Sequence, residues 1–317
     1  MRRNVIIDCD PGHDDAIAII VALANSEKLN VLGITTVAGN TTLDNATKNA
    51  LRVLEICGKD IPVSMGYSDP LLNKVQTAAF VHGESGMDGP ELFEPHLKPT
   101  GKHAIEFLKE TIENSLEKVT LIPLGPLTNI GVLLKTYPQL IEKIDVVSIM
   151  GGSIYGGNIL PKAEFNIYQD PEAAKMVFES GVNIIMSPIE ACNEGGIYFD
   201  ESDKFIEGGK VSKFAYELFQ YYGQYCKKNG WPYTVIYDMT AVICLLHPEY
   251  FESEPMRVTI ETQGASTRGM TVCDFRGGAH IGKCEDPVTV LTHIKDRDKF
   301  VQVLFDSLKT LDSQLSY

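Results

Sequence analysis

Basic residues are scarce in this chain: 28 Lys and Arg stand against 42 Asp and Glu in 317 residues, a formal charge of −14. A surface of that sign repels phosphate backbones, which argues against nucleic acid and for a small substrate without strong negative charge. No Cys-x-x-Cys spacing occurs. The seven cysteines (Cys9, Cys57, Cys192, Cys226, Cys244, Cys273 and Cys284) are odd in number and mostly lie in apolar surroundings. That pattern excludes a disulfide framework or a zinc site and points to reduced thiols in a cytoplasm. No apolar run approaches the ~18 residues of a membrane span; the longest covers residues 17–24. The run after Met1-Arg2-Arg3 is too short for a secretion signal. Ser/Pro/Gly tracts, charge blocks and internal repeats are also lacking. The expectation is one domain, residues 1–317, with loop insertions.

What is present is an alternation of β-rich and amphipathic segments. Strands are expected at residues 5–7, 31–37, 62–65, 119–124, 144–150 and 182–186. Helices are expected at 16–24, 42–57, 103–116, 127–134 and 171–180, with Gly58 and Gly181 as stop signals. Near-continuous Val/Ile/Leu strands separated by helices predict an open, mostly parallel, Rossmann-like α/β sheet covered on both faces. The last third reads differently: helices at 213–228 and 239–246, a hairpin from 257–262 and 270–275, and a closing helix at 298–311.

The densest chemical signal is Asp8-Cys9-Asp10-Pro11-Gly12-His13-Asp14-Asp15, which crowds carboxylates into the first strand-to-helix turn. So much like charge is unfavourable unless a cation or a hydrogen-bonding polyol is held there. Pro11 fixes φ and Gly12 permits close approach, so the turn can wrap a ligand. Asn40, Leu124-Gly125 and Gly151-Gly152 also follow strands. Open α/β sheets bind ligands beyond the carboxyl ends of their strands, so these groups predict one shared site. Cys9 is a poor nucleophile candidate, because neighbouring carboxylates raise a thiol pKa; packing behind the site suits it better.

The run from Asp8 to Ala16 closely resembles the DxDPGxDDA signature of the nucleoside hydrolases, the inosine-uridine preferring N-ribohydrolases. Further blocks match in order: Val37-Ala38-Gly39-Asn40, His82-Gly83, residues 124–129, Met150-Gly151-Gly152, Ala163-Glu164-Phe165-Asn166 and Asp238. The resemblance spans nearly the whole chain. It implies hydrolysis of the N-glycosidic bond of ribonucleosides to ribose and free base, with one Ca²⁺ held by Asp10, Asp15, Asp238 and the backbone carbonyl of Leu124. An all-oxygen set suits a hard cation and not zinc. It implies Asp10 as the base that activates water. Asp14, Asn40, Asn158, Glu164 and Asn166 are implied as ribose partners, Phe165 as a neighbour of sugar or base, and Asp8 as a support of the turn. It also implies a homodimer or homotetramer.

At the base end the resemblance offers His82 as a catalytic or base-contacting residue, with residues 83–89 as a lid. Tyr237 stands where many relatives carry the His that donates a proton to the departing base. A phenol is a weaker acid at neutral pH, which disfavours purines and leans the reading towards uridine and cytidine. Tyr221 and Tyr225, four apart on a helix, are expected to share the base-binding face; Tyr222 and Trp231 are expected to pack. Glu190 and Asn193 receive no role. The alternatives are a broad inosine-uridine hydrolase and a non-catalytic nucleoside- or ribose-binding relative. A phosphotransferase of the haloacid-dehalogenase type also places DxD after its first strand, but residues 11–15 do not fit it.

Overall fold

The computed structural model describes residues 2–276 and 287–315; Cys284 lies outside them. Eleven strands are formed there: β1 Arg3–Cys9, β2 Leu29–Thr36, β3 Val63–Met65, β4 Val119–Pro123, β5 Ile144–Met150, β6 Ile184–Ser187, β7 Ile197–Tyr198, β8 Tyr233–Thr234, β9 Phe251–Ile260, β10 Thr271–Asp274 and β11 Val288–Ile294. Nine of them make one sheet in the order β10-β9-β11-β6-β5-β4-β1-β2-β3. Pairing is parallel from β3 through β11; β9 and β10 add an antiparallel edge. The expected mostly parallel α/β architecture is therefore the observed one. The chain winds outwards in both directions from β1 and β4, which makes the gap between their carboxyl ends the topological switch point.

Alternation along the strands divides the core between two faces. Val5, Ile7 and Cys9 join the cluster built with the helices His13–Ala24, Lys210–Lys228 and Met239–Leu246. Ile6, with Val119 and Leu121, joins the cluster on the opposite face with Leu108 and Ile130. All twelve residues of His13–Ala24 are buried, as an all-apolar helix with two acids only at its start should be. The closing helix Arg297–Leu315 seals the first face through Phe300, which is fully buried.

The expected hairpin is present, but its first strand starts six residues earlier, at Phe251. β11 was not anticipated; it inserts between β6 and β9 and joins the antiparallel edge to the parallel sheet. No helix among the described residues is long and apolar enough to cross a membrane.

Candidate active site

The site grows from the end of β1. Asp8 pairs across to Thr35 of β2 and Pro123 of β4, at the sheet's centre. Its Oδ1 accepts from Thr35 Oγ1 at 2.5 Å and Asn129 Nδ2 at 2.7 Å. Asn129 Nδ2 also reaches the Thr36 carbonyl at 3.1 Å. Asp8 thus ties β1, β2 and the helix Thr128–Thr136 together. Burial pushes its pKa up to about 7.

Two residues on, Asp10 is fully buried. Its Oδ2 accepts from the Asn40 backbone N–H at 2.5 Å, while Oδ1 meets no hydrogen-bond donor. The space it fills is made by glycines. A Cβ on Gly39 would lie 2.1 Å from Oδ2, and one on Gly125 2.3 Å from Oδ1. Asp15 folds back over the turn: Oδ1 accepts from Asp10 N at 3.2 Å, and Oδ2 from Gly12 N at 3.0 Å and Asn40 Nδ2 at 3.1 Å. Asp14 and Asp15 occupy the first turn of their helix, where the dipole favours acids. Asp238 arrives from the far end of the chain at the N-cap of Met239–Leu246.

Carboxylate oxygens of Asp14, Asp15 and Asp238 all lie within 4.8 Å of one another, and all three residues are buried. Burial raises the pKa of each acid, and repulsion between carboxylates adds to it at Asp10, Asp14 and Asp238: Asp14 rises to about 8, and Asp10, Asp15 and Asp238 move upward. Oδ1 of Asp10 and Oδ1 of Asp14 are buried without a hydrogen-bond partner. Converging buried carboxylates, two oxygens of the acid cluster lacking a hydrogen-bond partner among the described residues, suit a hard divalent cation. The residues present therefore fit a metal. The geometry differs from expectation in one detail: Asp14 joins the converging group, and Asp10 stands beside it. The Leu124 carbonyl, the remaining expected ligand, accepts from Asn166 Nδ2 at 2.7 Å.

Beside the acids opens a cavity of about 340 Å³. Asp14, Asn40, Leu124, Asn158, Glu164, Phe165, Asn166 and Asp238 line it. Glu164 caps the helix Phe165–Gln169, accepting from Asn166 N at 2.9 Å, Ile167 N at 3.2 Å and Gly152 N at 2.9 Å. Burial raises its pKa to about 7. Asn158 accepts from Phe165 N at 2.9 Å. Residues spread along the sequence from Asp14 to Asp238 thus supply one polar wall.

Residues 5–302 match the inosine-uridine preferring nucleoside hydrolase family. The chain belongs to this family. It is therefore an enzyme that hydrolyses the N-glycosidic bond of ribonucleosides. It is 41% identical over 313 residues to the pyrimidine-specific ribonucleoside hydrolase RihA of Escherichia coli (strain K12), covering 98% of this chain and 99% of that protein. The Shigella boydii protein of the same name matches equally, at 41% with the same coverage. Among solved structures, a plant nucleoside hydrolase, PpNRh1, superposes with a TM-score of 0.89 at 30% identity, covering 98% of this chain and 99% of that one.

Among the residues expected at the base end, placement and expectation part in several places. His82, Tyr225 and Tyr237 line the cavity; Tyr221 does not. Tyr221 instead stacks on His13, with ring centroids 5.4 Å apart. Tyr222 and Trp231, expected to pack, both line it. The helix explains the exchange: Val211, Ala215, Leu218, Tyr222 and Cys226 form its buried stripe, and Tyr221 falls outside it. The phase of that stripe was readable in the sequence; nothing local marks Trp231. Burial drives the phenols of Tyr222 and Tyr237 well above their ordinary pKa, so both stay protonated and can donate.

The Gly83–Gly89 segment, expected as a lid, is tied down by hydrogen bonds in this structure. Asp88 accepts from Glu84 N at 3.2 Å and Ser85 N at 3.1 Å, Asn49 Nδ2 holds the Ser85 carbonyl at 2.9 Å, and Met87 is fully buried. Glu190 gains a role: its carboxylate accepts from Ile154 N at 3.0 Å and Tyr155 N at 2.8 Å, holding the loop after β5. Asn193 lines the cavity. Cys9 packs behind the acids with Sγ 3.6 Å from the Thr35 carbonyl.

Proposed function

We propose that the protein is a Ca²⁺-dependent hydrolase that prefers pyrimidine ribonucleosides. The observation that carries the reading is one cavity whose lining joins two members of a buried acid cluster, Asp14 and Asp238, to the protonated phenols of Tyr222 and Tyr237. Asp14, Asp15 and Asp238, with Asp10 and the Leu124 carbonyl beside them, would hold a divalent cation, which would supply neutralising charge and Lewis acidity at the ribose end. Every other part of the reaction belongs to side chains of this chain.

Asp10 takes the proton from a water that attacks C1′. Its Oδ1, without a donor, is the available base. As the C1′–N bond lengthens, positive charge builds on the ribose ring. Asp14, Glu164 and the carbonyl of Asn166 present oxygens to that charge and to the hydroxyls, and Asn40 and Asn158 border the same wall. The bonding pair leaves with the base nitrogen, and the Tyr237 hydroxyl donates to the departing base. Phe165, Tyr222 and Tyr225 flank the ring. A phenol stabilises a pyrimidine anion through a carbonyl oxygen more readily than it protonates a purine, and the name of the E. coli relative agrees with that direction.

Incubation with uridine, cytidine, inosine and adenosine, scored for free ribose, tests this. Pyrimidine kcat/KM should exceed purine kcat/KM at least ~10-fold. Release of ribose from none of the four in the presence of Ca²⁺ would overturn the reading. The six described cysteines are buried and free of disulfides, which supports a reducing, cytoplasmic setting. A homodimer or homotetramer, implied by the family resemblance, completes the proposal; light scattering on the purified protein reads it.

A further inference from the structure

His13 opens the buried first helix and has no part in the reaction above. Its Nδ1 lies 2.9 Å from Nδ1 of His82, and its Nε2 lies 2.8 Å from the backbone carbonyl oxygen of Asp88. A carbonyl only accepts, so Nε2 of His13 carries a hydrogen. In a neutral imidazole Nδ1 then bears the lone pair, and the hydrogen between the two rings belongs to His82 Nδ1. Nε2 of His82 is consequently bare. The opposite assignment sets two lone pairs against each other at 2.8 Å in a ring that is 1% exposed. The chosen one sacrifices only the longer contact from the His13 backbone N–H to His82 Nδ1, at 3.3 Å. That N–H belongs to the helix's first turn, where such groups lack intrahelical partners in any case.

The surroundings hold this geometry. Tyr221 stacks on His13 within 3° of parallel, and Tyr222 packs against both imidazoles with centroids 5.5 Å away. Any Cβ on Gly12 would stand 2.8 Å from His82 Nδ1. His82 lines the cavity, and its Nε2 has no protein partner among the described residues.

We propose that His13 is a positioning residue that fixes the tautomer of His82, so that His82 presents a bare Nε2 to the nucleobase and selects bases with an N–H there: N3–H of uracil or the exocyclic amine of cytosine. The selectivity rests on the nucleoside-hydrolase reading; the tautomer does not. It also assigns the protonation of the leaving base to a group other than His82, which is the place Tyr237 fills.

Histidine-labelled protein read by two-bond ¹H–¹⁵N correlation tests the tautomer directly, with the His82 signals identified by their loss in His82→Gln. At neutral pH, His82 should show a protonated Nδ1 and an unprotonated Nε2. His13→Asn keeps an acceptor oxygen near the Nδ1 position and should preserve that pattern, whereas His13→Leu should release it. In kinetics, 3-methyluridine against uridine, or N4,N4-dimethylcytidine against cytidine, should lose roughly tenfold in kcat/KM, the scale of one good hydrogen bond. His82→Ala should shrink that ratio several-fold. A protonated His82 Nε2 in the wild type overturns the proposal, as do methyl-analogue ratios that His82→Ala leaves unchanged. Failure of the wild type to cleave either parent nucleoside would instead overturn the functional reading and leave the tautomer result standing.

Discussion

Tyr237 and Asp10 divide the chemistry at the scale of single residues, and each predicts a distinct kinetic fault. Asp10→Asn removes the base and leaves the fold's hydrogen bond from Asn40 N available. Its kcat should fall by roughly 10²–10⁴-fold. Its melting temperature should hold or rise, because one of several mutually repelling buried acids is gone. Wild-type turnover would refute the assignment. Tyr237→Phe deletes one hydroxyl from a residue that is 8% exposed. For uridine, kcat should drop by about 10²-fold with KM little changed. A ribosyl substrate whose leaving group is already a good anion, such as 4-nitrophenol, needs no proton. The variant should therefore cleave it at close to the wild-type rate, and an equal loss on both substrates would show that the phenol only shapes the pocket.

At the scale of elements, the site depends on turns where only glycine leaves the buried acid its room. Gly125 follows β4 and leaves Asp10 its room. Gly125→Ala inserts a methyl where the carboxylate stands, so Asp10 must swing away or the turn must shift. A cost of about 1–3 kcal/mol in stability is expected, together with a kcat loss approaching that of Asp10→Asn; a variant as active as wild type would mean that Asp10 is not held where the structure puts it. Such turns were legible because their chemistry is contiguous: Asp-Pro-Gly-His-Asp-Asp lies in one stretch of sequence. Strand Ile144–Met150 and helix Met239–Leu246 were legible to the residue because apolar residues dominate each run. β11 was not. Its place between β6 and β9 depends on pairing with strands about 100 and 40 residues away, which no local pattern reports. Tyr222 was missed for a subtler reason. Tyr221 and Tyr225 do share a face by spacing, but the buried stripe of their helix runs through Tyr222.

For the whole molecule, the consequence is a stability that falls with rising pH without a cation and holds more nearly level with one. Asp8, Asp14 and Glu164 have pKa values raised to about 7, about 8 and about 7, against unfolded values near 4, with burial as the main cause. Between those limits the folded chain holds protons that the unfolded chain has lost. Stability without a cation is therefore fully present below about pH 4 as far as these groups go. It declines as pH rises towards about 8, by ~1.4 kcal/mol per pH unit for each proton so held. A divalent ion among Asp14, Asp15 and Asp238 would replace the proton held at Asp14, so its affinity should rise over the same interval and its binding should release protons. Melting curves between about pH 5 and pH 8 should slope downward in a strong chelator and flatten in excess Ca²⁺, with the gap between the two widest at the alkaline end. Parallel curves would mean that the cation does not sit among these carboxylates. If Mg²⁺ flattens the slope as well as Ca²⁺, charge alone suffices; if only Ca²⁺ does, the cluster selects for the larger, more flexible oxygen shell.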